Sequence, residues 1–131
     1  MTHEMRLLHG PFMKIASGTK TVEMRLYAEK RSGIRIGDTV IFTDTGNGEC
    51  VRCAVTGLNR FRSFEGLYAY YSKASLGYGD NEKADPGDML AFYFKSDIEK
   101  YGVVGIEIRL LPGACRPDRD PDPETPGKDK L

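Results

Sequence analysis

Between Thr21 and Tyr27 apolar and polar residues alternate strictly. The strand this predicts carries Val22, Met24 and Leu26 on one face and Thr21, Glu23, Arg25 and Tyr27 on the other. The run Pro11–Ser17 before it predicts a short helix, with proline suited to the first helical position and Gly18 to the residue that ends it. His3–Leu7 also alternates and predicts a first edge strand. Thr39–Phe42 is β-branched and aromatic, a strand entered through the turn pair Gly37-Asp38. Asp44–Gly48 predicts a hairpin tip, with the partner strand over residues 49–58. Phe64, Leu67, Tyr68 and Tyr71 then recur at helical spacing behind Ser63, a good N-cap, which assigns these tyrosines to a core rather than to a base-stacking platform. Asp85-Pro86-Gly87-Asp88 reads either as a turn or as the capped start of Met89–Phe94. In the closing strand Val103–Leu110, residues Val104, Ile106, Ile108 and Leu110 share one face, and Glu107 and Arg109 mark the other. Beyond Leu111 five prolines sit among dense charge and cannot bury a core. The expectation is one α+β domain over residues 1–111 and a disordered tail over 112–131.

Composition narrows the function classes. With 131 residues, 40% hydrophobic and 29% charged, the chain can hold a core without disulfides or metal. No apolar run approaches the roughly 20 residues of a membrane span, and no signal-peptide core opens the chain, so a membrane partner is not expected and the cytoplasm is the expected compartment. The 19 basic and 19 acidic residues cancel, which excludes coating of nucleic acid by bulk positive charge. The tail holds four of the former and five of the latter, so removing it exposes no basic body; a local basic pocket remains open. Cys50-Val51-Arg52-Cys53 has the outward form of a metal-binding pair. In an extended run, however, residues three apart point to opposite faces, and no second such pair occurs. Cys50, Cys53 and Cys115 are expected to be ordinary thiols, and His3 and His9 surface or packing residues. No metal or other cofactor is expected, since no Walker loop, GxGxxG or nucleophile elbow occurs.

The candidate chemistry gathers just past Gly18. Lys20, Glu23 and Arg25 place three ionisable groups of mixed sign within six residues. Glu23 and Arg25 point the same way, and the turn can swing the Lys20 amine toward either face. Tyr78, between Gly77 and Gly79, either meets a ligand on its loop or anchors that loop. Ala28–Arg31 is either a solvated turn or a basic lip beside the site.

The spacing Gly18-x-Lys20-x-x-Glu23-x-Arg25 resembles the GxKxxExR signature of the ASCH family, small domains with a PUA-like barrel. Pro11-Phe12 before it, then Ile36–Phe42, Phe61–Leu67 and Tyr101–Ile106 after it, resemble ASCH landmarks in the right order, and the likeness covers roughly residues 3 to 111. It implies a PUA-like mixed β-barrel flanked by short helices. It also implies a role in RNA or modified-nucleoside recognition, since PUA-like barrels recur in RNA binding and RNA modification.

Three chemistries fit such a site. The bland one is an ion pair that stiffens the strand face while Lys20 stays solvated; exposed pairs contribute only about 0–1 kcal/mol. In the binding reading, Arg25 grips a phosphate or carboxylate, Lys20 supplies a point charge and Glu23 accepts from an amino or hydroxyl group, with Thr21, Tyr27, Tyr78 and Asp80 as further contacts. In the catalytic reading, Lys20 is a base or nucleophile with its amine pKa depressed by desolvation and Arg25, and Glu23 passes a proton to the leaving group. ASCH-like proteins include amidohydrolases that deacetylate N4-acetylcytidine. Those share the Gly-x-Lys start but carry a threonine where Glu23 stands, with a second acid downstream that Glu65, Asp80 or Glu82 could supply. Others are reported as nucleases, and a partner-binding adaptor is the non-catalytic alternative.

Overall fold

The computed structural model describes residues 1–113 and Cys115. The disorder expected of the tail therefore falls, apart from Pro112, Gly113 and Cys115, outside the described residues. In chain order the elements are β1 (Thr2–Leu7), α1 (His9–Ala16), β2 (Val22–Leu26), α2 (Glu29–Ser32), β3 (Thr39–Asp44) and β4 (Cys50–Phe61). After these come α3 (Phe64–Tyr70), a 3-10 turn (Pro86–Ala91), α4 (Lys95–Tyr101) and β5 (Val103–Leu110). The strands make one curled, half-barrel sheet in the order β1-β3-β4-β5-β2. β1 lies parallel to β3 and every other pair is antiparallel, so the sheet is mixed and its two edges are β1 and β2.

Each face of the sheet carries a core. Met5, Val40, Phe42, Val55, Val104 and Ile106 pack on one side with Phe12 and Ile15 of α1. On the other, Val22, Met24 and Val103 meet Phe64, Leu67, Met89 and Ile98 from the helices. Enclosing a side chain such as Phe42 stabilises by roughly 1.5–3 kcal/mol. The alternation in β2 decides where its charges go. Val22 and Met24 enter the second core, while Glu23 and Arg25, opposite Ile106 and Val104, turn to the first.

Several boundaries differ from the sequence expectation. The first helix begins at His9, which puts Pro11 inside its first turn; N–H groups there have no intrahelical acceptor, so the proline removes no bond. Residues 29–32 form one helical turn rather than a plain connection. β4 continues to Phe61, carried past residue 58 by a bulge between Val55 and Gly57. The segment at Asp85 is the capped start, with the Asp85 carboxylate accepting from the Gly87 N–H at 2.8 Å, though the element it caps is a 3-10 turn. Nothing in the hydrophobic pattern predicts α4, because its run of charges buries only Ile98. Leu110 is exposed, so the apolar face of β5 ends at Ile108.

The cysteines need correction. Cys50 and Cys115 form a disulfide, and Cys53 is the free, buried thiol, pushed up to about 11 by burial. The Leu111 N–H donates to the Arg52 carbonyl at 2.9 Å, prolonging the β4–β5 pairing and delivering Cys115 to the start of β4. Both histidines are anchored: His3 Nε2 lies 2.8 Å from Asp38 and His9 Nδ1 lies 2.7 Å from Asp44. No helix among the described residues is long and apolar enough to cross a membrane.

Candidate functional site

A cleft of about 420 Å³ opens where the two edges of the sheet, β1 and β2, come near each other. The end of α1 directs Lys20 into it. Gly18 succeeds the helix with a φ of +82°, and the Lys14 carbonyl then accepts from both the Thr19 and Lys20 N–H groups, at 2.9 and 3.0 Å. The Lys20 ammonium lies 3.5 Å from Glu23 Oε1 and donates to the Leu76 carbonyl at 3.2 Å. Arg25 Nε donates to Glu23 Oε2 at 2.7 Å, and its Nη2 reaches across the seam to the Arg6 carbonyl at 3.1 Å. Lys20 and Glu23 are only 7% and 5% exposed. One sunken carboxylate is thus held between an ammonium and a guanidinium.

Backbone groups of β2 also face this cleft. Thr21 O accepts from Ile108 N–H and Tyr27 N–H donates to Gly102 O, so odd-numbered residues of β2 bond toward β5. By the period of two, the N–H and C=O of Met24 point to the free edge, where Met24 borders the cleft. They form a donor and an acceptor side by side.

The opposite wall is aromatic and acidic. Tyr78 donates to Asp88 Oδ2 at 2.7 Å, and its oxygen lies 2.8 Å from the Tyr68 hydroxyl. Tyr78 has one proton to give, so Tyr68 donates to Tyr78 in a chain running to the carboxylate. Burial pushes both phenols up, and for Tyr78 the hydrogen bond to Asp88 adds to it. Two lysines pin the Tyr78 loop from beneath: Lys20 through Leu76 O, and Lys14 through Gly77 O at 2.6 Å. Gly77 adopts a φ of +101° with the Lys20 stem against it, which suits glycine there. The Glu82 carboxyl is held low by the Gly79 N–H, 2.6 Å away, and next by Lys14.

Of the residues proposed from sequence, Lys20, Glu23, Arg25 and Tyr78 line one cleft. Thr21 does not; it borders a smaller cavity of about 180 Å³ behind Lys20, with its N–H bonded to Ser75 O. Tyr27 packs against the first core with the Arg60 guanidinium 3.8 Å above its ring. Asp80 is exposed, its carbonyl taken by Lys73, and Glu65 lies on α3; neither lines the cleft. Among the three downstream acids, Glu82 does. Arg6, Tyr68, Asp88 and Tyr93 also line the cleft, and sequence reading did not single them out as site residues. They come from β1, α3 and the segment after residue 84, and only the folded sheet brings them together. Tyr68 was visible as a core position and Asp88 as a turn residue, signals that are true and say nothing of a cleft.

The ASCH domain profile matches residues 5–112. The hypothetical protein PH0355, known from a crystal structure, is 30% identical and superposes with a TM-score of 0.72, covering 85% of this chain and 100% of that one. Protein PF0455 from Pyrococcus furiosus is 31% identical, with a TM-score of 0.63 over 86% of this chain and 100% of that one. The ASCH domain from Lactobacillus crispatus JV V101, 15% identical with a TM-score of 0.60 over 83% and 79% of the two chains, shares the fold alone. No curated protein matches the chain.

Proposed function

Because the chain belongs to the ASCH domain family, we propose that it recognises RNA or a modified nucleoside in the cleft of Lys20, Glu23 and Arg25, with residues 1–111 as the binding unit. ASCH domains are suggested to bind RNA. The observation that carries the reading is the single buried carboxylate gripped from both sides at the base of an open cleft. Stability alone is a poor reason for such a group, since buried ion pairs often do no better than apolar residues of the same volume. As a recognition element it makes sense. Glu23 accepts from an exocyclic amine, the donor–acceptor pair of Met24 meets a base edge, Tyr78 and Tyr93 offer aromatic walls, and the arginines meet sugar or phosphate oxygens. The volume falls in the roughly 300–1,000 Å³ range of small-molecule sites.

One observation favours hydrolysis as the second reading. The Lys20–Glu23 pair stands on the cleft wall, where an amine and a carboxylate 3.5 Å apart are able to pass a proton to a leaving group. The target bond is then the N4-acyl amide of a cytidine-like base, with ribonuclease action as the other hydrolytic outcome.

Calorimetric titration of the protein with N4-acetylcytidine, cytidine and short RNAs tests the proposal, run beside an acetate-release and an RNA-cleavage assay. Saturable binding that Arg25→Ala weakens about tenfold or more supports recognition. Turnover that Lys20→Ala abolishes, with the melting curve intact, selects the hydrolytic reading. No binding to any of these probes leaves an adaptor role and refutes both.

A further inference from the structure

Three carboxylates line the cleft: Glu23, Glu82 and Asp88. Cations serve two of them, Lys20 at 3.5 Å and Arg25 at 2.7 Å for Glu23, and Lys14 at 3.8 Å for Glu82. Asp88 is the exception, since no cation among the described residues pairs with it. Its side-chain partner is a neutral phenol, the Tyr78 hydroxyl, which donates to Oδ2 at 2.7 Å and leaves Oδ1 open. The carboxylate is nonetheless held in place. The Asp88 N–H donates to the Asp85 carbonyl at 2.9 Å, in a turn that the Asp85 side chain caps through the Gly87 N–H. Tyr78 receives in turn from Tyr68, at 2.8 Å, so the phenol that aims Asp88 is itself fixed.

The same segment sets an apolar surface beside this carboxylate. Phe92, four residues after Asp88, lines the cleft yet is 58% exposed, whereas Met89 and Tyr93 next to it pack on the second core. A large ring left in water on a cleft wall marks a surface for a ligand. An exposed ring and an oriented carboxylate together suit a hydroxylated sugar, whose apolar face lies on the ring while its hydroxyl protons go to the acid, as they do for ribose in dinucleotide sites. A cation is the other guest that an unpaired carboxylate attracts. The lining, however, sets Arg6, Lys14, Lys20 and Arg25 against three acids, so on balance it repels a cationic ligand and not a neutral donor. Those basic groups donate and cannot accept, which leaves a hydroxyl proton to Asp88.

We propose that Asp88, aimed by Tyr78, accepts from the ribose hydroxyls of the ligand while Phe92 covers the sugar's apolar face, so that the cleft selects ribonucleosides and RNA over their deoxy counterparts. The inference rests on the nucleoside reading above and adds to it a specificity-determining residue. Glu23, on β2, takes the base; Asp88, on the opposite wall, takes the sugar. A sugar hydroxyl is also the group by which proteins tell RNA from DNA.

The test is calorimetric titration of the whole protein with N4-acetylcytidine and with its 2′-deoxy and 3′-deoxy analogues. The ribonucleoside should bind about fivefold or more tightly than at least one analogue. A loss with the 2′-deoxy compound assigns the contact to the 2′-hydroxyl, a loss with the 3′-deoxy compound to the 3′-hydroxyl, and a loss with both to the pair. Asp88→Ala should erase the preference by bringing the ribonucleoside down to the affinity of the deoxy analogue. Asp88→Asn, which keeps the shape and one acceptor, should retain part of the preference, and Tyr78→Phe, which frees the carboxylate to turn, should narrow it. Equal binding of all three compounds by the wild type overturns this inference and leaves the recognition reading standing. A preference that survives Asp88→Ala in a variant with unchanged melting does the same. If none of the three binds, both fall.

Discussion

Replacing Glu23 by alanine strips the carboxylate from between two cations and leaves them facing each other, largely buried, at the base of the cleft. Lys20 is 7% exposed and the Arg25 side chain 15%, so water reaches neither freely. Removing one partner of a buried pair typically costs about 3–5 kcal/mol, because a desolvated charge is left without compensation. Arg25 keeps its bond to Arg6 O and Lys20 its bond to Leu76 O, which favours the lower end of that range. In a domain of about this size each kcal/mol moves the melting temperature by roughly 4–8 °C, so at about 3 kcal/mol a fall on the order of 12–24 °C is expected. Urea unfolding read by circular dichroism gives the free-energy change directly, provided the slope with denaturant stays constant. Glu23→Gln keeps the shape and one acceptor and should cost less. The triple change Lys20→Met, Glu23→Ala, Arg25→Met, which removes the orphaned charges as well, should recover a large part of the loss. A Glu23→Ala deficit below about 1 kcal/mol would refute the reasoning, since exposed pairs have that magnitude. Failure of the triple variant to regain stability would refute it too.

Particular contacts elsewhere in the fold set further expectations. Gly102 has a φ of +73°, and a Cβ there would sit 2.9 Å from the Phe61 carbonyl oxygen, so Gly102→Ala should destabilise by about 2–4 kcal/mol in the same urea assay. The Asp38 carboxyl is held down at about 2 by His3 and the Arg35 N–H, with the terminal amine adding to them. A depressed carboxyl contributes its stability above the unfolded value and loses it as pH falls toward the folded one. The gap in urea midpoint between wild type and Asp38→Asn should therefore be full above roughly pH 4 and shrink between about 4 and 2. Thiol counting in denaturant without reductant should find one reactive cysteine, Cys53, and three after reduction. In the native protein Cys53 should resist alkylation at pH 8, because its thiol is enclosed and pushed up to about 11.

Much of the sheet was legible because burial imposes a period of two. β2 and β5 announce themselves by their alternation, and the same alternation puts Glu23 and Arg25 on one side. That Lys20, Glu23 and Arg25 meet in one cleft was readable for a related reason: all three come from one turn and one strand, so local geometry sufficed. What the sequence hid is nonlocal. Arg6 meets Arg25 only because the sheet order sets β1 and β2 at opposite edges that curl toward each other. Tyr78 read either as a ligand contact or as the anchor of its loop, and nothing local told that its hydroxyl is committed to Asp88, ten residues on. Cys50 and Cys115 lie 65 residues apart, and only the extension of the β4–β5 pairing joins them. Thr21 and Tyr27 share the strand face of Glu23 by parity, but the cleft is shorter than the strand and takes only its middle.

The contact between Arg25 and the Arg6 carbonyl has a mechanical side. Elsewhere neighbouring strands are stitched by rows of amide bonds that yield only together, whereas here a single long side chain fastens two facing margins. A fastening of that kind gives way at the loss of one bond and reforms without any change of register. Breaking that bond would free the two margins from each other while leaving every strand pairing of the sheet in place.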